Sequence, residues 1–110
     1  MKYPFLPSHP QYDLAKKQMK YGGGILTIDI KGGFDKVLAF SKEVKIVSIS
    51  PNLGDSRTIM THPASTTHSK LSAEDRAAVG ITAGLVRIAV GLEHIDDLKA
   101  DIIHALDAIQ

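Results

Sequence analysis

The sequence contains no cysteine and no tryptophan, and aromatic residues occupy only 5% of its 110 positions. Without cysteine the chain can form neither a disulfide framework nor a zinc–thiolate site, and it has no thiolate nucleophile. This composition fits a reducing compartment. The scarcity of aromatic side chains argues against a surface on which nucleic-acid bases stack. These absences exclude a disulfide-stabilised domain and a cysteine enzyme.

A strong net charge and long apolar runs are absent as well. The formal net charge is +1, so no strong field attracts nucleic acid or anionic lipid, and we predict neither as a partner. The first residues include no apolar segment of signal-peptide length, and every apolar run is far shorter than a membrane span. We therefore predict a soluble, cytoplasmic chain that makes no membrane contact.

Prolines at positions 4, 7 and 10 keep the first residues extended. Proline fixes its own φ and disfavours helix at the residue before it. We interpret residues 1–8 as a connection that arrives from another domain. Residues 1–110 are predicted to form one domain, because the length is ordinary for a globular unit and 44% hydrophobic residues suffice for a core.

Hydrophobic periodicity and turn residues predict four helices and four strands. The clearest element is a helix over residues 94–109, with an apolar stripe of Ile95, Leu98, Ile102, Leu106 and Ile109. This order of elements predicts an α+β fold in which a small, mainly antiparallel sheet packs against helices. The other predicted elements are a helix that Ser8 caps and that ends at the glycines 22–24, a strand over 25–30, a helix over 34–43, strands over 44–50 and 57–61, a helix that Ser72 caps and that ends at Gly80, and a strand over 85–90.

Arg87 lies inside the apolar segment 84–91, where a cation is costly to bury unless it is paired. Its guanidinium group matches a carboxylate through two parallel hydrogen bonds, so one hypothesis is a receptor for a substrate carboxylate. The alternative is a structural salt bridge, or an arginine that points outward from a half-exposed strand. The residues alone slightly favour this structural alternative.

Histidine and hydroxyl residues are concentrated in the predicted loop 62–70. His62 and His68 could suggest a metal site, and with Ser65 they could suggest serine–histidine chemistry. Their spacing is not that of a zinc-binding helix, and no cysteine or well-placed carboxylate completes a site. We therefore prefer a polar loop with local side-chain caps, and we predict no metal site and no catalytic residue.

The turn at residues 52–55 follows a predicted strand, a place where sites often form. Asn52 could direct its amide donors at a carboxylate, although a plain turn explains the same composition. The glycines 22–24 precede a strand, whereas phosphate-binding glycines follow a strand and open a helix. We therefore predict a turn at 22–24 and no cofactor-binding residue.

An ordered set of segments resembles the C-terminal domain of the cystathionine γ-synthase-like family, the pyridoxal-phosphate enzymes of cysteine and methionine metabolism. The resemblance covers nearly all 110 residues. Within the family, the chain is most similar to O-acetyl- or O-succinylhomoserine sulfhydrylases, because NLGD at 52–55 is followed by HPASTTH at 62–68. Those enzymes make homocysteine from an O-acylhomoserine and sulfide. The other matching segments are YP at 3–4, LPSHP at 6–10, the glycines 22–24, GI at 80–81, GLVR at 84–87 and VGLE at 90–93.

The resemblance implies roles for two residues. Arg87 matches the arginine that binds the α-carboxylate of the amino-acid substrate, and Asn52 matches a position that helps to hold that carboxylate. These roles make the functional hypothesis for Arg87 the leading one. Many family lyases carry serine where Asn52 stands, so a cystathionine or methionine γ-lyase is the less favoured alternative.

The resemblance also implies a fold and a cofactor. The expected fold is the C-terminal domain of a fold-type I enzyme, a small sheet with helices on one face, and the expected cofactor is pyridoxal phosphate. The family binds this cofactor mainly through a large N-terminal domain, and no lysine here matches the cofactor lysine. We therefore expect a chain that is inactive alone, that needs this N-terminal domain as its partner, and that forms a homotetramer when complete. A non-catalytic module that binds amino acids or another protein is the second hypothesis.

Overall fold

The computed structural model describes all 110 residues. It contains four helices and four strands, joined by turns and loops. Their order along the chain is the predicted one. None of the helices combines the length and the apolar character that a membrane crossing requires. The helices are α1 (Tyr12–Gln18), α2 (Phe34–Glu43), α3 (Ala73–Ala78) and α4 (Ile95–Ala108), and the strands are β1 (Ile25–Asp29), β2 (Ser48–Ile49), β3 (Ile59–Thr61) and β4 (Leu85–Ala89).

The strands form one sheet in the order β1-β4-β3-β2. β4 pairs antiparallel with β1 and with β3, whereas β2 pairs parallel with β3. The predicted mainly antiparallel sheet is therefore confirmed. An isolated antiparallel bridge between Lys2 and Thr27 attaches the first residues of the chain to the outer edge of β1.

One face of the sheet is covered by α2 and α4. Val86 and Ile88 of β4 and Met60 of β3 are almost completely buried there, against Phe40 of α2 and Leu98 of α4. Burial of each such side chain is worth about 1.5–3 kcal/mol relative to exposure. The other two helices contribute little to this core, since α3 has no buried residue and α1 only one. The predicted packing of helices on one face is confirmed.

The prediction of a strand over residues 44–50 is wrong for most of that segment. A side-chain carboxylate accepts hydrogen bonds from backbone N–H groups of the segment. Asp101 of α4 accepts hydrogen bonds from the N–H groups of Lys45, Ile46 and Val47, at 2.7, 2.9 and 3.1 Å. These donors cannot also pair with a neighbouring strand, so β2 is only two residues long. Partial burial raises the pKa of Asp101, but the three hydrogen bonds outweigh it and hold that pKa below its ordinary value.

The strand predicted over residues 57–61 is shorter for a similar reason. The backbone N–H of Thr58 donates to the carboxylate of Glu93 at 2.8 Å, and β3 begins at the next residue. Hydrogen bonds from Thr58, the backbone N–H first and the hydroxyl second, hold the pKa of Glu93 below its ordinary value. In both cases, a carboxylate distant in the sequence sets the residue at which the strand begins.

Helix starts agree with the sequence where a side-chain cap forms. Ser72 Oγ accepts the N–H of Asp75 at 3.1 Å, which confirms the predicted cap of α3. The cap predicted at Ser8 is wrong. Turns occupy the residues that precede α1, and α1 begins at Tyr12 without a side-chain cap. The apolar stripe of α4 begins one turn later than predicted, since Ile95 is 56% exposed.

Candidate functional site

Arg87 lies at the centre of β4, and its side chain leaves the sheet on the face opposite the helices. Its neighbours in the chain, Val86 and Ile88, point into the core, so strand alternation directs Arg87 to the other side. Its Cα partners in the register are Thr27 on β1 and Thr61 on β3. Arg87 therefore stands between two threonines in one row across the sheet.

Most of the Arg87 guanidinium group has no partner in the chain. Its Nη2 atom donates one hydrogen bond of 3.0 Å to the carbonyl oxygen of Pro51. A guanidinium group has five N–H donors. No carboxylate pairs with it, since the ion pairs of the chain involve other basic residues. The structural salt bridge considered from the sequence is therefore absent, and the side chain is only half-buried.

Asn52 directly follows the carbonyl group that Arg87 contacts. It is exposed, its side-chain amide makes no hydrogen bond, and its backbone N–H lies 3.4 Å from Ser50 Oγ. The structure thus brings both predicted site residues to one place, and each has unused donors.

The start of the loop that carries Asn52 is anchored to β3. The N–H of Ser50 donates to the carbonyl oxygen of Met60 at 3.1 Å, and its own carbonyl oxygen accepts the hydroxyl of Thr61 at 2.5 Å. These bonds fix the adjoining Pro51, whose carbonyl oxygen is the acceptor of the Arg87 hydrogen bond. Thr61 and Pro51 carry no site signal in the sequence, because only the pairing of β3 with β4 brings them to Arg87.

A cavity of about 280 Å³ adjoins this arrangement, between α2 and the ends of β2 and β3. The α2 wall is largely apolar, and Phe34, Val37 and Leu38 contribute to it. The opposite wall is more polar and includes Pro51 and Thr61. The volume is close to the lower end of the range for small-molecule sites, which is roughly 300–1,000 Å³. Pro51 and Thr61 also adjoin Arg87, but neither Arg87 nor Asn52 lines the cavity.

His62 forms part of the polar wall, and both of its ring nitrogens have partners. Nε2 lies 2.6 Å from the carbonyl oxygen of Ala83, which can only accept, so Nε2 carries the proton. Nδ1 forms a hydrogen bond of 2.8 Å with the hydroxyl group of Ser65. Thr66 Oγ1 donates to the carbonyl oxygen of His62 at 2.8 Å, whereas His68 contacts its neighbour Thr67 instead. The predicted polar loop with local side-chain caps is confirmed.

The structure contains no group of three histidine, aspartate or glutamate side chains that could hold a metal ion. The cavity also does not suit pyridoxal phosphate, the cofactor that the resemblance implies. That cofactor needs a lysine amine and a cation or N–H cradle for its phosphate. No lysine or arginine is among the 12 residues that line the cavity, and Lys36 and Lys16 contact Ile109 and Phe5 elsewhere. The residues that line this cavity therefore do not fit the cofactor.

Comparison with known proteins matches residues 1–107 to the family described as Cys/Met metabolism PLP-dependent enzyme. The chain is 50% identical over 107 residues to the O-succinylhomoserine sulfhydrylase of Pseudomonas aeruginosa, across 97% of the chain and 27% of that protein. It is 45% identical over 107 residues to the L-methionine gamma-lyase of Fusobacterium nucleatum subsp. nucleatum, with the same two coverages. The chain thus spans about a quarter of the length of the curated relatives it matches.

Solved structures agree with these matches. Cystathionine gamma synthase from Xanthomonas oryzae pv. oryzae, in complex with aminoacrylate and cysteine, superimposes with a TM-score of 0.90 at 36% identity, across 97% of this chain and 28% of that one. The predicted resemblance and fold class are confirmed. The predicted cofactor is confirmed through the family, which depends on pyridoxal phosphate. The chain belongs to the family of pyridoxal-phosphate-dependent enzymes of cysteine and methionine metabolism.

Proposed function

We propose that the chain forms the substrate-carboxylate wall of a homoserine sulfhydrylase, which makes homocysteine from an O-acylhomoserine and sulfide. One observation carries the proposal. Arg87 presents a guanidinium group with a single hydrogen bond, to the carbonyl group of Pro51, and the next residue, Asn52, has an unpaired side-chain amide. In this proposal residues 1–110 are one C-terminal domain, residues 1–8 are its connection, and the partner domain holds the cofactor.

The part that Arg87 plays follows from its geometry. Two parallel N–H groups of the free guanidinium edge bind the two oxygens of the substrate α-carboxylate. The Asn52 amide adds a donor from the loop. A carboxylate held at both places fixes the orientation of the substrate Cα–H bond, and such positioning can supply several kcal/mol of a barrier, up to about 7–11. The electron sink for the reaction belongs to pyridoxal phosphate, which the partner domain holds in this proposal.

The choice of a sulfhydrylase over a lyase rests on similarity and on Asn52. Identity is 50% to the O-succinylhomoserine sulfhydrylase of Pseudomonas aeruginosa and 48% to the O-acetyl-L-homoserine sulfhydrylase 1 of Thermus thermophilus, against 45% and 47% to the L-methionine gamma-lyases of Fusobacterium nucleatum and Treponema denticola. Because this difference is small, γ-elimination from methionine is the second candidate. The homotetramer and the cytoplasmic location stay predictions.

The reaction is tested in a chimera in which this chain replaces the matching 107-residue segment of the Pseudomonas aeruginosa relative. We expect the chimera to form homocysteine from O-succinyl- or O-acetylhomoserine and sulfide, and only when pyridoxal phosphate is supplied. Release of methanethiol from methionine in its place would support the lyase. A chimera that folds, binds the cofactor and forms neither product contradicts the proposal.

The division between the two domains is tested on the purified chain alone. Pyridoxal phosphate is titrated in and followed by absorbance, and O-acetylhomoserine and sulfide are then added to the same cuvette. We expect no saturable absorbance change and no homocysteine. A saturable band with turnover would show that a lysine of this chain holds the cofactor.

A non-catalytic amino-acid-binding module is the competing function, since the free guanidinium edge of Arg87 is present in the isolated chain. An NMR titration of the chain with free amino acids, set beside the chimera assay, separates the two. If the chain binds free amino acids and the folded chimera is inactive, the results favour the amino-acid-binding module.

A further inference from the structure

Residues 50–58, which connect β2 to β3, are called the Asn52 loop here. Three hydrogen bonds join the end of this loop to the segment that follows β4. Thr58 donates twice to one carboxylate, from its N–H to Glu93 Oε2 at 2.8 Å and from its hydroxyl to Oε1 at 2.7 Å. The same hydroxyl accepts the N–H of Gly91 at 2.8 Å. We call this arrangement the Thr58–Glu93 clasp. It ties together two segments that lie 35 residues apart in the sequence.

The two segments cross so closely that only glycine fits at position 91. A Cβ atom on Gly91 would lie 2.4 Å from the carbonyl carbon of Arg57 and 2.5 Å from the nitrogen of Thr58. Beside this contact, the N–H of Leu92 donates to the carbonyl oxygen of Ser56 at 2.7 Å. The neighbouring atoms are backbone atoms, which cannot move aside as a flexible side chain can. The crossing therefore leaves no room for a side chain at position 91.

The clasp and the Arg87 contact lie at opposite ends of one loop. At the start of the loop, Pro51 receives the Arg87 hydrogen bond. Between Pro51 and the clasp, the chain is mostly exposed, and its side-chain bonds are local, such as that of the Asp55 carboxylate with the N–H of Arg57 at 3.0 Å. The position of Asn52 therefore depends on the anchors at the two ends.

We infer that Glu93 is a positioning residue for the carboxylate site, because it holds the far end of the loop that presents the Asn52 amide beside Arg87. The inference rests on the proposed function, since it names what sets the geometry of the same site. Glu93 makes no contact with Arg87 itself. A carboxylate suits this role, because each of its two oxygens accepts one of the two Thr58 donors.

The test compares the isotopically labelled chain with Glu93→Ala, Glu93→Gln and a control, Glu74→Ala, whose carboxylate is exposed on α3. Amide exchange at Thr58 should rise about tenfold or more in Glu93→Ala, as expected when a hydrogen bond to a charged group is lost. The side-chain NMR signals of Asn52 and Arg87 should shift as well. Glu93→Gln keeps the size and one acceptor, so it should restore part of the protection. Glu74→Ala should match the unaltered chain.

Ligand binding separates positioning from a purely structural role. O-succinylhomoserine is titrated into each variant at a temperature where the variant is fully folded. Glu93→Ala should raise the Kd roughly threefold to tenfold, the cost of misplacing a donor, with Glu93→Gln in between. An unchanged Kd and unchanged Asn52 and Arg87 signals in a less stable Glu93→Ala chain would overturn the inference.

The two proposals fail in different ways. If the unaltered chain binds no amino acid, the proposed carboxylate site fails in the isolated chain. The Asn52 and Arg87 signals of the Glu93 variants are measured without ligand, so they still decide whether Glu93 positions the loop. If Glu93→Ala does not fold, the Glu93→Gln variant supplies the same comparison at constant side-chain size.

Discussion

Asp101 and Arg87 are charged residues on opposite faces of the same sheet, and they differ in how much of their hydrogen-bonding capacity the chain uses. The Asp101 carboxylate, 8% exposed on the helix side, accepts three backbone N–H groups from one segment. The Arg87 guanidinium group, half-buried on the other side, donates one hydrogen bond to a carbonyl oxygen. Both are ionic groups that the fold at least partly buries, and burial costs each of them solvation.

The difference separates a charge that stabilises the fold from a charge that is available for binding. Asp101 has exchanged water for three donors, and it holds the segment before β2 against α4. Arg87 keeps most of its donors for water or for a ligand. The number of unused donors therefore indicates a binding site better than burial alone. Substitutions at the two places should act on different quantities.

The largest expected effect is on stability, in Asp101→Ala. Three backbone donors would lose a charged acceptor in a partly closed place, which should lower the free energy of unfolding by about 3 kcal/mol or more. Urea denaturation measures the change. The matched control is Asp107→Ala on the exposed side of the same helix, which should stay within about 0.5 kcal/mol. Equal losses in both variants would show that the three hydrogen bonds contribute little.

Acid should remove a part of the same stabilisation. The pKa of Asp101 lies below its ordinary value of 3.8, so in acid the unfolded chain binds a proton before the folded chain does. This contribution is complete above pH 3.8 and is lost as the pH falls below 3.8 through the lowered pKa of the folded state. The free energy of unfolding should therefore fall more steeply in acid for the unaltered chain than for Asp101→Asn. Identical slopes would contradict the assignment.

Elements that depend on local signals were predictable from the sequence. The helix over residues 34–43 and the cap at Ser72 follow from residues within one turn of each other. The strand ends were not predictable, because Asp101 and Glu93 take the strand donors from 54 and 35 residues away. A carboxylate at that distance leaves no pattern in the segment whose N–H groups it binds.

The candidate site likewise has one part that the sequence predicts and one part that it does not. Arg87 is visible in the sequence as a cation within an apolar strand, and the family resemblance supplied its expected role. Its one acceptor, the carbonyl group of Pro51, lies 36 residues away, and any residue can offer a carbonyl group. Only the structure shows that no carboxylate pairs with Arg87, which excludes the structural salt bridge. The sequence shows which residues are present but not which of them come into contact.

Arg87→Lys should affect binding far more than folding. A lysine ammonium group cannot reproduce two parallel N–H donors, so the Kd for O-succinylhomoserine should rise about tenfold, or about 1.4 kcal/mol. In the chimera, kcat/KM should fall by at least the same factor. Arg57→Lys is the control, since Arg57 is exposed and pairs only with Asp55. Unchanged affinity in Arg87→Lys would remove the basis of the proposed site.

The smallest expected effect distinguishes the two threonines that flank Arg87. The hydroxyl of Thr61 donates to the carbonyl oxygen of Ser50, whereas the hydroxyl of Thr27 makes no hydrogen bond within the chain. Valine has nearly the same shape, so Thr61→Val should lower the free energy of unfolding by about 1 kcal/mol and shift the Arg87 side-chain signal. Thr27→Val should leave both nearly unchanged. If the two variants behave alike, the row of side chains across the sheet does not depend on the Thr61 hydroxyl, and the start of the loop is anchored by the backbone bonds of Ser50 alone.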